Sequence, residues 1–208
     1  MIFSQRLKQK IKYNSLFRIL HDGLVKAGIK ISFFYLVKEG LYREIPELEL
    51  NKFPDYDLII LDENDITLLS TIPERTLSKE KLLKLLKDEC ICFGLKKEND
   101  LAAVTWVNLK ECSYGSFNLP MKEEEACLFG AYTLIKYRGE NLAPFIRYQC
   151  YKELKKMGKN TLYSISEALN RQSINFKKKL DARFIFLGLH VCLFNKFKFS
   201  IPLRKLSS

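Results

Sequence analysis

Within this 208-residue chain, the segment from Ala131 to Pro144 (Ala-Tyr-Thr-Leu-Ile-Lys-Tyr-Arg-Gly-Glu-Asn-Leu-Ala-Pro) has the spacing best suited to chemistry. An apolar run ends, a turn carrying Arg138, Gly139, Glu140 and Asn141 follows, and Leu142, Ala143 and Pro144 open a helix. Pro144 suits a first helical turn, where its missing N–H is not needed. The first amides of a helix have no intrahelical acceptor and lie at the positive end of the macrodipole. Such a junction can hold an anion, a pyrophosphate for example. By themselves these residues reach only that far, and an ordinary surface turn has the same composition.

The acid–base candidates are fewer. Glu125 opens the apolar strand Ala126 to Ile135 and, at period two, shares a face with Cys127, Phe129, Ala131 and Thr133. It reads either as an acidic strand entrance beside Glu123 and Glu124 or as a general base. Lys177, in Lys177-Lys178-Lys179, reads as a solvated helix end that compensates the dipole or as a contact for an anionic group. His190, between Leu189 and Val191, reads as a satisfied strand histidine. There is no Gly-x-Ser-x-Gly nucleophile elbow. The six cysteines include no CxxC pair, and His21 and His190 lie near opposite ends, so we expect small buried thiols, no metal and no disulfide scaffold.

The elements that must position these groups follow from periodicity. Residues 1–28 read as a basic amphipathic helix or helix pair, and Ile31 to Val37 as a strand. Then come a strand Asp57 to Leu61, a short helix Ile66 to Ser70, a turn at Pro73 and a helix opened by Ser78. A hairpin Cys90 to Leu95 with Leu101 to Leu109, a loop Ser113 to Glu124, the strand Ala126 to Ile135 and a long helix stopped by Gly158 follow. Last are a strand Thr161 to Ile165, a helix Leu169 to Leu180, and strands Arg183 to Leu189 and Val191 to Ile201. This is an α/β chain with an α+β mixed sheet. We divide it into an N-terminal helix–strand extension, 1–54, packed on a main domain, 55–208.

Composition narrows the function classes. With 47% hydrophobic and 12% aromatic residues the chain can bury a core, and a formal charge of +11 favours an anionic partner. No apolar run reaches the roughly 18 residues of a membrane span. The N-terminus turns basic at Arg6 before a signal-peptide core forms, so the expected location is cytoplasmic. Nucleic acid is the least supported partner, since no helix-turn-helix, zinc finger or RNP-like motif accompanies the charge.

The order of elements around Arg138 to Ala143 resembles the GNAT superfamily of acyl-CoA-dependent N-acyltransferases, over roughly Asp57 to Ile201. Its signature, Gln/Arg-x-x-Gly-x-Gly/Ala between the fourth strand and third helix, is matched by Arg138 and Ala143. Asn141 stands where the middle glycine is usual, and asparagine is the side-chain-bearing residue that best tolerates positive φ. The resemblance implies a mostly antiparallel sheet splayed between its fourth and fifth strands and flanked by helices. Ala131, Tyr132 and Thr133 would offer backbone groups to pantetheine there, and the amides of Gly139, Glu140, Asn141, Leu142 and Ala143 would hold the pyrophosphate. Asn170-Arg171-Gln172-Ser173-Ile174 is similar to the family's Asn-x-x-Ser/Ala-Ile segment, whose Asn170 and Ser173 would touch the pantetheine arm. Asn170 also suits a plain helix cap. Seven residues beyond Asn170 many relatives place a tyrosine as general acid, and here that residue is Lys177.

The resemblance therefore implies an N-acyltransferase, in the first instance an N-acetyltransferase. It would use acetyl-CoA or another acyl-CoA and a small amine acceptor, for example an anionic one such as an amino-sugar nucleotide, or an amino acid. A homodimer is compatible with it. Donation from acyl carrier protein, or a non-catalytic acyl-CoA-binding module, are the alternatives.

Overall fold

The β-branched and aromatic run at Ile31 forms β1 (Lys30–Glu39). After it come β2 (Asp57–Ile60), α1 (Glu63–Ser70), α2 (Lys79–Lys87), β3 (Ile91–Lys97), β4 (Asp100–Asn108), β5 (Glu111–Tyr114), β6 (Phe117–Pro120) and β7 (Glu125–Thr133). A 3-10 turn (Ile135–Tyr137), α3 (Leu142–Lys156), β8 (Thr161–Glu167), α4 (Arg171–Lys179), β9 (Arg183–Leu193) and β10 (Phe197–Lys205) complete the chain. The computed structural model describes residues 24, 28–40, 53–72, 78–98 and 100–206. Apart from Leu24 and Gly28, the basic helix expected over 1–28 lies outside them, as does the turn at Pro73.

Eight strands form one sheet in the order β10-β9-β1-β8-β7-β4-β3-β2. Every neighbouring pair in this sheet is antiparallel except β7 with β8. β7 and β8 pair only from Glu125↔Thr161 to Cys127↔Tyr163 and then part, leaving a V-shaped opening. These are the strands expected to splay; β1 and the β5–β6 hairpin raise their numbers. β1 lies inside the sheet, between β8 and β9, so the strand on the N-terminal side of residue 54 is a member of it.

α1 and α2 cover one face, where Leu61, Ile66, Leu69, Leu82 and Trp106 are buried. α3 covers the other, burying Leu142, Phe145, Ile146, Cys150 and Leu154 against β3, β4 and β7. Each large apolar side chain so removed from water stabilises the fold by about 1.5–3 kcal/mol before cavity and entropy costs.

Three sequence expectations need correction. The segment Ser113 to Glu124 is loop only from Met121 onward: before it, Cys112↔Leu119 and Tyr114↔Phe117 pair across a tight turn at Gly115-Ser116. The last strands do not break at His190, which sits inside β9; the chain reverses at Phe194 and Asn195, both at positive φ. The polar histidine is tolerated there because Ser200 meets its Nδ1 at 2.9 Å. Finally, Cys112 and Cys127 form a disulfide, while Cys90, Cys92, Cys150 and Cys192 are free and buried. The spacing of 15 residues carried no signal, since it is the hairpin that folds β5 back onto β7.

Candidate active site

β7 ends in the turn the sequence singled out. Opposite Thr105 the ladder slips, from Val104↔Tyr132 to Trp106↔Phe129, so β7 carries an extra residue at Gly130–Ala131. Gly130 has φ 59 and its missing Cβ would stand 3.0 Å from Trp106 Cδ1, so only glycine fits this bulge without strain. The bulge lies beside the opening between β7 and β8, at Ala131. Tyr132 and Thr133 remain paired with β4, opposite Val104 and Ala103.

Arg138 folds back over the strand end. Its Nε donates to Thr133 O (3.2 Å), an Nη2 hydrogen to Tyr132 Oη (3.3 Å), and its guanidinium lies 5.5 Å from the Tyr132 ring. Gly139 has φ 93 with nothing within 4 Å of the Cβ position, and Asn141 takes φ 60, the left-handed conformation that asparagine tolerates. The Asn141 side chain does not cap α3. Its Oδ1 instead accepts from Lys179 Nζ at 2.9 Å. The first turn of α3 thus keeps its amides for another acceptor, with Arg138 and Lys179 as nearby cations. Pro144 lies in that first turn, and Glu140 is drawn to Tyr56, whose hydroxyl donates to Oε2 at 2.6 Å.

α4 begins differently. Asn170 Oδ1 accepts from Ser173 N at 3.0 Å, so Asn170 caps this helix. Ser173 Oγ sits 2.9 Å from Ser166 Oγ on β8.

Lys177 departs most from a solvated helix end. Only 1% exposed, it donates to Ser164 Oγ (2.7 Å), Ser166 Oγ (2.6 Å) and Ile165 O (3.4 Å), and lies 3.5 Å from Glu39 Oε1. Glu39, at the end of β1, is also buried; its Oε2 accepts from Tyr151 Oη at 2.5 Å and stands 3.5 Å from Arg147 Nε. Two cations and one carboxylate leave this cluster with a net positive charge. Burial raises the Glu39 carboxyl, but Arg147, Lys177 and the hydrogen bonds from Ser164 and Tyr151 together hold it below its usual range. Lys178 and Lys179 are exposed, as expected of that run.

A stability-versus-pH prediction follows. Lys177 is lowered to about 8 from 10.5, chiefly by burial, with Glu39 opposing and Arg147 reinforcing. Between those values the unfolded chain binds more protons than the folded one, so this group adds stability as pH rises from about 8 to about 10.5. Below pH 8 the cost of the buried ammonium is present in full. Denaturant melts across that range, taken as the difference between wild type and Lys177→Met, should show the rise in wild type alone.

Glu125 is not brought to the turn. It stands where β7 and β8 still pair, roughly 25 Å of strand from Thr133 at about 3.3 Å per residue, and its Oε2 accepts from Lys122 N (3.1 Å). The structure instead brings a different carboxylate to the open end. Four residues beyond the last β7–β8 pair stand Ala131 on one wall and Glu167 on the other. Glu167 is exposed; Tyr114 on β5 donates to its Oε1 at 3.0 Å and lies 3.1 Å from Ser32 Oγ. Burial, above all, raises the Tyr114 phenol, which keeps it a donor. The His190 ring packs edge-on to Tyr114 at 5.8 Å. Sequence reasoning missed Glu167, Tyr114, Glu39, Arg147 and Lys179. Arg147 alone left a trace, a charge in the apolar stripe of α3.

No protein-family model matches the sequence, and no curated protein sequence matches it. In structure it is similar to a GNAT-family protein from Novosphingobium aromaticivorans, with TM-score 0.56 and 18% identity over 80% of this chain and 66% of that one. A GCN5-related N-acetyltransferase from Kribbella flavida gives TM-score 0.53 and 11% identity over 82% and 62%. A GCN5-related N-acetyltransferase-like protein from Streptococcus suis gives 0.52 and 15% over 87% and 67%. The chain has the GNAT fold, and spans 62% to 67% of the length of these three structures.

Proposed function

We propose that the protein is an acyl-CoA-dependent N-acyltransferase. The observation that carries this reading is the uncapped first turn of α3, set between Arg138 and Lys179 at the open end of β7. The amides of Gly139 to Ala143 would take the donor's pyrophosphate, and Ala131 at the bulge would face the pantetheine arm. Ser173, beside Ser166, lies on the opposite wall, and Asn170 acts through its cap. The acceptor, a small primary amine, would approach from the Tyr114 and Glu167 side of the opening. Glu167 would take the ammonium proton, and the neutral amine would attack the thioester carbon. Collapse of the tetrahedral intermediate then expels the thiolate, and the remaining surplus proton on the former amine nitrogen passes to solvent, leaving the neutral amide. With its N–H groups committed to Ser164, Ser166 and Ile165, Lys177 would stabilise that thiolate by charge rather than by donating a proton.

Donor binding is the test. Acetyl-CoA or a longer acyl-CoA should raise the melting temperature, because a ligand that binds only the native state stabilises it by mass action. Arg138→Glu should abolish the shift, and Gly139→Pro should weaken it by forcing φ from 93 into the proline range. A shift with acyl carrier protein but with no acyl-CoA would name the carrier as donor instead.

A further inference from the structure

The sheet continues past α4 into three strands, β1, β9 and β10, and there the described structure leaves a band of large apolar side chains exposed. The register sets Ile31, Val191 and Phe199 in one row across these strands, and Phe33, Leu189 and Ile201 in the next. Of these, Ile31, Phe33, Phe199 and Ile201 are 44% to 47% exposed, and Phe194 and Phe197 at the adjoining turn 67% and 61%. A contiguous apolar patch of this kind marks an interaction surface.

Charge selects the partner. From Ala182 to Ser208 the chain has five Lys/Arg and no Asp or Glu. Lys196 stands 5.8 Å over the Phe197 ring, and Arg204, which the register break at Pro202 places on the same face as Phe199 and Ile201, has no ion pair to a described carboxylate. Lysine and arginine stems can lie along an apolar surface while their charged ends reach an anionic one. A second copy of the chain fits poorly, because facing patches would repel, and β10 bears Pro202, flanking lysines and a register break that discourage edge pairing.

We infer that this face of β1, β9 and β10 is a docking surface for an anionic lipid bilayer, with Phe194, Phe197 and Phe199 entering the interface and Lys196 and Arg204 meeting the headgroups. Aromatic side chains beside cations suit that boundary, where apolar burial and attraction to anionic lipid add. Among the described residues no helix is long and apolar enough to cross a membrane, so the protein would lie on the surface.

Sedimentation of the full chain with vesicles tests this without any acyl transfer, so its outcome is separate from the fate of the proposed activity. In about 0.1 M salt the protein should pellet with phosphatidylcholine vesicles containing about 30% phosphatidylserine and stay in solution with phosphatidylcholine alone. Phe197→Ser/Phe199→Ser and Lys196→Glu/Arg204→Glu should each lower the bound fraction at least about tenfold, with melting temperatures near wild type because these side chains are exposed. Absence of pelleting with the anionic vesicles, or equal pelleting by both variants, overturns the proposal. So does a solution dimer that the phenylalanine variant dissociates, or acyl carrier protein binding that the same variant abolishes in the absence of vesicle binding.

Discussion

Glu167→Gln is expected to lower turnover by about a hundredfold or more while leaving acyl-CoA affinity near wild type, since a positioned general base contributes roughly 10²–10⁴ in rate. Glu167 stands across the opening from Ala131, away from the turn that would hold the donor's phosphates. Its loss should therefore appear in kcat and in the acceptor's KM, not in the thermal shift given by acyl-CoA. The Tyr114 hydroxyl orients it at 3.0 Å, so Tyr114→Phe should cost less, about tenfold. Steady-state rates against pH for the three proteins decide the assignment. A fall of less than about fivefold in Glu167→Gln would show that proton removal runs through solvent or another group.

Glu39→Ala should produce the largest loss of stability of any single exchange at the site. It removes the sole described carboxylate facing the buried ammonium of Lys177 and guanidinium of Arg147. Removing one partner from a buried ion pair costs about 3–5 kcal/mol, a large part of the roughly 5–15 kcal/mol by which domains are stable. At about 2–4 °C per kcal/mol for a chain of this size, the melting temperature should fall by about 6–20 °C. Glu39→Leu combined with Lys177→Leu should lose less than the sum of the single exchanges, because the two groups are in contact. Since Glu39 is held below its ordinary value of 4.5, its contribution is present above that pH and fades as pH falls through the lower folded value. Glu39→Gln should lack that acid limb in denaturant melts. A loss below about 1 kcal/mol for Glu39→Ala would mean that the cluster is hydrated and not a buried lock.

Local chemistry made the turn legible. Gly139 and Asn141 take the positive φ that their side chains allow, and Pro144 falls in a first helical turn, because these preferences belong to individual residues and their nearest neighbours. The long helix stopped by Gly158 was readable for the same reason, its apolar positions recurring at helical period over a stretch longer than any strand. The β5–β6 hairpin was not, since Ser113, Gly115, Ser116, Asn118 and Pro120 carry the composition of a loop, and its strands are only four residues each.

The sequence by itself determined a basic α/β chain with a candidate anion-binding turn between a strand and a helix, because turn preference, helix period and net charge are sums over neighbouring residues. Tertiary structure alone decided that Lys177, in a run of three lysines, is the buried one, that Glu39 arrives beside it from 138 positions away through β1, and that Glu167 faces the opening. Those outcomes rest on the insertion of β1 between β8 and β9 and on the parting of β7 from β8. Both are pairings between segments distant in the chain, and a strand's own residues specify which face is buried but not which strand lies alongside.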